Sequence, residues 1–308
     1  MKAVIGGTGQ VGRHVVRALV AQGETVACIS RQPCQDATDQ VAWRHIESYS
    51  SEDVRSALSG CSGAIATLGL PYDADVWLRE WAPLVKDVAQ GCLTAEVPLT
   101  FLDNLYPVGR AAMPITEQSP VAPCSKKGQA RAEGLSALAA ARQDGLDVVV
   151  CRSSDFVGPG LAVTILPWKS IERVLTHHSA KLSWIGDPST HHSFSWVPEI
   201  ASCLAQVCED PNLRRHGLVN LPVLAPLSGR ELAHILSDIT GESVKVSAMR
   251  DPMLKIASPF MRSAREQLEM MYEVDQDFLV SDDLIRSMGW ACDRLCIEEC
   301  VRNSMRNR

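Results

Sequence analysis

The stretch KAVIGGTGQVGRHVVRALVAQG, residues 2–23, decides the fold of this chain. It opens with a short apolar run that ends on glycine, which predicts a buried strand followed by a tight turn. From residue 12 onward apolar residues recur every three or four positions, so the stretch also predicts an amphipathic helix that ends near Gly23. A strand, a glycine-rich turn and a helix in direct succession form the first half of a β-α-β unit.

The same alternation continues through the first half of the chain. Further strands are predicted at residues 25–30, 63–69, 99–104 and 146–154. Helices are predicted between them at residues 50–60, 77–92 and 127–145. Strands joined by helices of this length imply right-handed crossovers, and we therefore expect an α/β protein with a doubly wound parallel sheet of the Rossmann type.

Glycines at positions 6, 9 and 12 follow the first strand and open the first helix. In that context Gly6 allows the tight turn, Gly9 lets a pyrophosphate approach the backbone, and Gly12 packs the helix against the strand. The loop predicts a dinucleotide site, the alternative being a glycine-rich turn that binds nothing. The loop residues expected to contact the cofactor are Gly6, Thr8, Gly9, Gln10, Val11, Gly12 and Arg13.

Arg31 follows the second strand at the position where a site that prefers NAD usually has Asp or Glu. An arginine there can pair with the 2′-phosphate of NADP, and Arg13 can assist it. We therefore expect NADP rather than NAD. A solvated surface arginine is the alternative interpretation of Arg31.

The pattern changes near residue 161, where prolines break the second half into shorter elements. We expect residues 1–165 to form the dinucleotide-binding domain, completed by residues near 193–222. Residues 166–308 would then form mainly a smaller, interleaved substrate-binding lobe. Within that lobe a helix is predicted between a Ser228 cap and Gly241.

Composition limits the function classes. The chain has 308 residues, 46% of them hydrophobic, and a formal net charge of −6. A negative chain argues against a nucleic-acid binder, which needs a basic face. No apolar stretch predicts a signal peptide or a membrane span, so we expect a cytoplasmic protein with a small-molecule partner. A homodimer is compatible with the sequence, which does not decide the oligomeric state.

Eleven cysteines are scattered along the chain, and we expect reduced thiols rather than disulfides. Cys292, Cys296 and Cys300 alone have a regular spacing, which predicts one face of a C-terminal helix. Cysteine is often buried as a small apolar residue, and this explains the stripe better than a metal does. We predict no metal site.

The spacing of the three glycines resembles that of the extended and atypical short-chain dehydrogenase/reductases, the NAD(P)-dependent epimerase/dehydratase superfamily. The segments CRSSDFVGPG at 151–160, HSFSWVPEIA at 192–201 and RSMGW at 286–290 resemble further motifs of that superfamily. The resemblance implies an enzyme with a Rossmann fold and extends the cofactor site. It adds the candidate cofactor contacts Glu47, Leu68, Gly69 and Ser154.

The resemblance fails at the catalytic residues. Members typically carry a Ser or Thr and a Tyr-x-x-x-Lys motif, in which Tyr exchanges the proton and Lys holds the nicotinamide ribose. Their positions are matched here by Asn104, Lys127 and Arg131. None of the four tyrosines lies four residues before a lysine, so the usual Tyr-based mechanism is not expected.

The replaced residues predict a modified site. Asn104 can donate an amide N–H to a substrate oxygen, and Lys127, in a partly dry pocket beside a second cation, is the candidate proton carrier with a lowered pKa. Arg131 stays protonated and is expected to bind the ribose. Lys127 and Arg131 lie four residues apart, so they share a helical face that we expect to point into the cofactor cleft, where the dinucleotide compensates their charge.

Three other residues are candidates near the substrate. Tyr106 and Asp103 lie close enough in sequence to Asn104 to share its work, although Tyr106 can instead simply pack and Asp103 can cap a turn. His192, in a loop of the second half, is a candidate to border the substrate cleft, and an ordinary surface histidine is the alternative.

Three functions follow from this site. The first is an NADP-dependent oxidoreductase, or an epimerase or dehydratase, that acts on a carbonyl, hydroxyl or imine of a small metabolite. The second is a sensor that binds NADP without redox turnover. The third is a redox-neutral cyclase or isomerase that reuses the pocket. The retained polar side chains favour an enzyme.

Overall fold

The computed structural model describes residues 1–161, 164–249, 254–256, 258–290 and 294–306. The chain divides into two compact units. The first, which we call the sheet unit, is made of Met1–Gly109, Pro120–Ser153 and Val197–Leu221. The second unit is made of Arg110–Ser119, Ser154–Trp196 and Pro222–Arg308.

The strands alternate with helices along the first half of the chain and become shorter in the second. The strands are β1 Lys2–Ile5, β2 Val26–Ser30, β3 Val41–His45, β4 Gly63–Ala66, β5 Leu99–Asp103, β6 Val148–Arg152, β7 Asp155–Val157, β8 Lys181–Ile185, β9 Phe194–Trp196, β10 Leu218–Asn220 and β11 Lys245–Met249.

The helices range from one turn to six. They are α1 Gly12–Ala21, α2 Ser51–Ala57, α3 Ala74–Thr94, α4 Lys126–Gln143, α5 Trp168–Leu175, α6 Val197–Glu209, α7 Pro211–Arg215, α8 Gly229–Thr240, α9 Arg262–Leu268, α10 Asp283–Ser287 and α11 Ile297–Arg306. Short 3-10 helices lie at Tyr106–Val108 and Met271–Glu273.

The sheet unit contains seven parallel strands in the order β3-β2-β1-β4-β5-β6-β10. All residues of β1, β2, β4, β5 and β6 are buried, as expected for a parallel sheet covered by helices on both faces. The predicted α/β class and Rossmann-type doubly wound sheet are confirmed. The strand order reverses between β1 and β4, and ligands of such sheets bind at the carboxyl ends of the strands at this point.

Helices α3 and α4 pack closely against one another in the sheet unit. Trp77 and Trp81 lie one turn apart on the buried face of α3. Gly134 of α4 makes the close approach possible, because a Cβ there would lie 2.6 Å from the indole nitrogen of Trp81. The side chain of Ser125 caps α4 by accepting a hydrogen bond from the Gly128 N–H. Helix α4 is therefore held against the aromatic face of α3 through Arg131 and Gly134.

The second unit has two pairs of parallel strands, β7 with β9 and β8 with β11. Its core includes Trp168, Trp184 and Phe194. Helix α8 begins with the predicted Ser228 cap, which forms a capping box with Glu231, and Gly241 ends it with a φ of 73°. Within the described ranges, no helix is both long and apolar enough to cross a membrane.

The predicted cysteine stripe is wrong in its placement. Helix α11 begins at Ile297, so Cys296 lies before the helix and only Cys300 is on it. Cys300 is buried among the apolar residues of the second unit, whereas Cys296 is partly exposed. Cys292 lies outside the described residues. No cluster of three or more side chains that could hold a metal ion occurs in the described part of the chain.

Candidate functional site

The loop between β1 and α1 has the close packing that the glycine pattern predicts. Gly6 has a φ of 83°, and a Cβ on Gly12 would overlap the Gly6 carbonyl oxygen and lie 2.8 Å from Oγ1 of Thr67. The N-cap of α1 is Val11, no side chain of the described residues caps this helix, and its first turn has no acidic residue. Among the described residues, the positive end of the helix dipole is therefore not offset by a capping or acidic side chain, which favours an anion there. These features fit the pyrophosphate of a dinucleotide.

Arg31, which follows β2, and Arg13 and Arg17, on α1, have partners of different kinds. The exposed guanidinium of Arg31 lies 5.5 Å from the centroid of the Tyr49 ring. Arg13 and Arg17 both bind Asp36, at 3.3 and 3.0 Å. Mainly because Arg17 donates to it, the pKa of the Asp36 carboxyl is lowered. Asp36 therefore remains an anion next to Arg13, one of the two arginines predicted to bind a 2′-phosphate.

The other predicted contacts of the cofactor in the sheet unit lie at the ends of β3 and β4. Glu47 follows β3, and its side chain is 90% exposed. Leu68 packs partly against the core, and a Cβ on Gly69 would meet nothing within 4 Å. Gly69 therefore leaves open space at the carboxyl end of β4, which fits the approach of a cofactor. In the glycine loop, Thr8 is partly exposed and Gln10 is exposed.

The three cations of the first α4 turns have separate surroundings. Lys126 is exposed and pairs with Asp75 at 3.1 Å. Lys127 is 0% exposed, and its ammonium lies 4.5 Å from the centroid of the Tyr72 ring. A cation over an aromatic face is attracted by the negative potential of the ring. The buried lysine is thus covered by a tyrosine from the segment between β4 and α3.

Arg131 is held inside the sheet unit. Its Nη1 donates to Oδ1 of Asp103 at 2.7 Å, and its guanidinium carbon lies 3.7 Å from the Trp81 ring centroid and 4.6 Å from that of Trp77. Its Nε is buried with no hydrogen-bond partner in the described residues. The sequence predicts that a dinucleotide compensates this cation; in the structure its counter-ion is Asp103, and the indoles of Trp77 and Trp81 cover it.

Burial shifts the pKa of both Asp103 and Arg131, and the charge of each residue opposes the shift of the other. Burial raises the pKa of the Asp103 carboxyl, and the charge of Arg131 and, more weakly, that of Arg152 oppose this shift. Burial lowers the pKa of Arg131, and Asp103 opposes it. Arg152 in turn donates to Asn220 at 3.1 Å. A buried polar network therefore joins the ends of β5, β6 and β10 to α4.

Asn104 and Tyr106 lie directly after β5. The Asn104 Oδ1 accepts a hydrogen bond from the Tyr106 N–H at 3.1 Å. Tyr106 stacks on Trp77 with ring centroids 6.1 Å apart and an angle of 27°. Tyr106 therefore packs on Trp77.

Two predicted residues lie in the second unit. Ser154 donates through its hydroxyl to the Ser193 carbonyl oxygen at 2.5 Å. His192 is 2% exposed, its Nε2 lies 2.9 Å from Oδ2 of Asp155, and its ring stacks on Phe278 at 5.0 Å. The alternative of an ordinary surface histidine is wrong for His192.

Sequence reasoning missed Tyr72, Trp77, Trp81 and Asp36. The Tyr-x-x-x-Lys spacing concerns residues of one helix, α4, whereas Tyr72 comes from the segment between β4 and α3. Asp73 was a usable signal in the sequence, because it caps α3 and so places the preceding residue, Tyr72, at the start of that helix.

Comparisons with known proteins agree with this fold. Residues 6–98 match a family model described as NAD(P)H-binding. A search of curated proteins finds no match to the sequence.

Solved structures extend the likeness over the whole chain. An epimerase described as putative, from Burkholderia cenocepacia J2315, has a TM-score of 0.77 and 16% identity over 100% of this chain and 98% of its own. The dTDP-glucose 4,6-dehydratase DesIV from Streptomyces venezuelae, solved with NAD and TYD, has a TM-score of 0.74 and 19% identity over 100% of this chain and 98% of its own. WbmH from Bordetella bronchiseptica, solved with NAD+, has a TM-score of 0.73 and 16% identity over 97% of this chain and 95% of its own. The chain shares its fold with these solved structures, as the sequence resemblance predicted.

Proposed function

Starting from an NAD(P)H-binding region and an epimerase/dehydratase fold, we propose that this protein is an NADP-dependent oxidoreductase, or an epimerase or dehydratase, that acts on a carbonyl, hydroxyl or imine of a small metabolite. The observation that carries the proposal is Lys127, a lysine with no exposed surface in the same unit as the glycine loop. Burial of an ammonium costs several kcal/mol in stability, and charged groups kept buried in this way are common at functional sites.

The sheet unit offers a place for each part of the cofactor. The loop from Gly6 to Gly12 would hold the pyrophosphate at the start of α1, and Arg31 would bind the 2′-phosphate with help from Arg13. Glu47 would face the adenine, and the backbone of Leu68 and Gly69 would line the remaining path. When bound, NADP supplies a hydride donor or acceptor at its nicotinamide ring.

The side chains of this chain supply orientation and protons. Asn104 keeps its amide nitrogen as a donor for the substrate oxygen, since its Oδ1 is held by Tyr106 N–H. Lys127 holds the proton that is exchanged with the substrate. Arg131 acts as a positioning residue, because its ion pair with Asp103 fixes the end of β5 next to Asn104.

A sensor that binds NADP without turnover is the second candidate. The observation in its favour is the complete burial of Lys127 beneath Tyr72, which leaves the ammonium no surface for a substrate. Both candidates require NADP binding and differ in turnover.

The test begins with titrations of NADPH and NADH against the purified protein, followed by NADPH oxidation with a panel of carbonyl and imine compounds. We expect tighter binding of NADPH and turnover of at least one compound. Lys127→Met, whose side chain fills a similar volume, should abolish turnover and leave the NADPH dissociation constant nearly unchanged. Tight NADPH binding with no turnover across the panel would support the sensor, and equal affinities for the two nucleotides would reject the NADP preference.

A further inference from the structure

The three most exposed large apolar side chains of the described residues lie close together in sequence. Phe260 is 88% exposed, Ile256 is 75% exposed and Met261 is 55% exposed. All three belong to the second unit, in the region between β11 and the first turn of α9. Single exposed apolar side chains are ordinary on protein surfaces, whereas a group of them marks contact with another surface.

Residues 254–265, which we call the exposed segment, are anchored to the second unit near both ends. Leu254 and Ala264 are 2% and 5% exposed and belong to one apolar cluster with Met271 and Val274. The apolar side chains between these two anchors therefore meet solvent from a segment that the core already holds.

Local hydrogen bonds order the backbone of the exposed segment. The Ser258 N–H donates to the Leu254 carbonyl oxygen at 2.8 Å, and the Ser258 hydroxyl donates to the Lys255 carbonyl oxygen at 3.1 Å. At the start of α9, the Arg265 N–H donates to the Met261 carbonyl oxygen at 3.2 Å. Backbone groups that are paired in this way lose less when they leave water for an apolar phase.

The exposed segment is also basic. It contains Lys255, Arg262 and Arg265, all exposed, and neither Asp nor Glu. The whole chain has a formal net charge of −6, so the segment has the opposite sign to the chain that carries it. Exposed apolar side chains with Lys and Arg beside them are typical of a surface that enters the interface of a bilayer with anionic lipids.

Contact with a second copy of the chain is the competing use of such a surface. In a dimer with twofold symmetry, the same surface lies on both sides of the interface. The three cations of one copy would then face the three cations of the other, and like charges at close range repel. Anionic lipids instead compensate these charges, so the charge of the segment favours a bilayer.

We propose that the exposed segment binds the surface of a bilayer that contains anionic phospholipids. The side chains of Ile256, Phe260 and Met261 enter the boundary between headgroups and acyl chains, and the three cations lie at the headgroups. The inference goes beyond the proposed function and depends on neither NADP binding nor turnover.

The first measurement is co-sedimentation of the wild-type protein with vesicles of phosphatidylcholine alone and with vesicles that also contain about 30% phosphatidylserine. We expect a partition coefficient at least about tenfold higher for the vesicles with phosphatidylserine, falling as the salt concentration rises. Absence of binding to both kinds of vesicle, or equal binding to both, would overturn the proposal.

The second measurement uses the double variant Ile256→Ser with Phe260→Ser, which removes two exposed apolar side chains and no charge. Its partition coefficient on vesicles with phosphatidylserine should fall at least about tenfold, while its urea midpoint stays at the wild-type value. Val121→Ser is the matched control, because Val121 is 53% exposed but belongs to the sheet unit. It should bind like the wild-type protein. Wild-type binding by the double variant, or an equal loss in Val121→Ser, would reject the exposed segment as the contact.

The cations are tested separately by Lys255→Gln with Arg265→Gln. This variant keeps the apolar side chains, so its binding to vesicles with phosphatidylserine should fall by about tenfold or more through the lost attraction to anionic lipid. Binding that matches the wild-type protein would contradict the role of charge in the proposal.

Sedimentation velocity without vesicles decides between a bilayer and a second copy. We expect the wild-type protein and the Ile256→Ser, Phe260→Ser variant to sediment in the same oligomeric state. A dimer that dissociates in the variant would assign the exposed segment to contact between copies and overturn the proposal. Failure of NADPH binding or of turnover contradicts the proposed function alone, because the vesicle measurements need neither.

Discussion

Nη1 of Arg131 lies 2.7 Å from Oδ1 of Asp103, and the two side chains are only 8% and 1% exposed. The pair joins the end of β5 to α4 across 28 positions of sequence. Trp77 and Trp81 cover the guanidinium. Water therefore cannot replace either partner when the other is removed.

Asp103→Leu should lower the free energy of unfolding by about 3–5 kcal/mol, because it leaves the Arg131 charge buried and unpaired. Urea denaturation measures this value. The double variant Asp103→Leu with Arg131→Met should recover a large part of the loss, since it leaves no buried charge. A double variant that is less stable by the sum of both single losses would contradict this account.

The Lys126–Asp75 pair is the exposed counterpart, with side chains 60% and 74% exposed. Lys126→Met should change the free energy of unfolding by less than about 1 kcal/mol, because water screens exposed ion pairs. The same urea series provides the measurement. A loss as large as that of Asp103→Leu would show that burial is not what makes the Arg131 pair important.

Arg31→Ala should weaken NADPH binding by about 10- to 100-fold, because a charge-assisted hydrogen bond to phosphate is removed. NADH lacks that phosphate, so its affinity should stay close to the wild-type value and serves as the internal control. Fluorescence titration with each nucleotide measures both constants. An equal loss for both nucleotides would assign Arg31 to another part of the cofactor.

Asp36→Asn should strengthen NADPH binding by about two- to fivefold, because it removes an anion that occupies Arg13 and repels a 2′-phosphate. NADH binding should change little. Weaker NADPH binding in this variant would instead show that Asp36 orients Arg13 for the nucleotide.

Gly12→Ala should weaken both nucleotides and lower the free energy of unfolding by about 1–3 kcal/mol, since its methyl group would overlap the Gly6 carbonyl oxygen. Gly69→Ala is the matched control for stability, because a Cβ there meets nothing within 4 Å. It should unfold at the wild-type urea concentration. A loss of NADPH affinity in Gly69→Ala would support contact between this residue and the cofactor.

Glu231 predicts an acid-sensitive contribution from the α8 capping box. Mainly because the Ser228 N–H donates to it, the pKa of the Glu231 carboxyl is lowered in the folded protein. A lowered folded-state pKa contributes stability above the unfolded-state value, ordinarily about 4.3, and this contribution is lost as the pH falls through the folded-state pKa.

Glu231→Gln should therefore cost less than about 1 kcal/mol at pH 7, since the side chain is 53% exposed, and progressively less below about pH 4. Urea denaturation at both pH values measures the difference. A cost that does not change with pH would contradict a role for the ionised carboxylate.

Much of the fold followed from local patterns. The glycine loop after β1 and the capping box of α8 each depend on residues within a few positions of one another. The alternation of apolar strands and amphipathic helices then leaves the parallel doubly wound sheet as the arrangement that buries every apolar face. The likeness to epimerases and dehydratases was predictable for the same reason.

The candidate site was predictable only in part. Lys127, Arg131 and Asn104 were found from their spacing, but their partners were not. Tyr72 comes from the segment before α3 and reaches Lys127 across 55 positions of sequence.

The sequence by itself therefore determined the sheet, the glycine loop and the positions of the cations at the start of α4. Only the tertiary structure decided what those cations face: Asp75 for Lys126, Tyr72 for Lys127, and Asp103 with two indoles for Arg131. The physical reason is that strands and caps are set by neighbours along the chain, whereas a buried charge is compensated by whichever groups the crossovers of the sheet bring beside it.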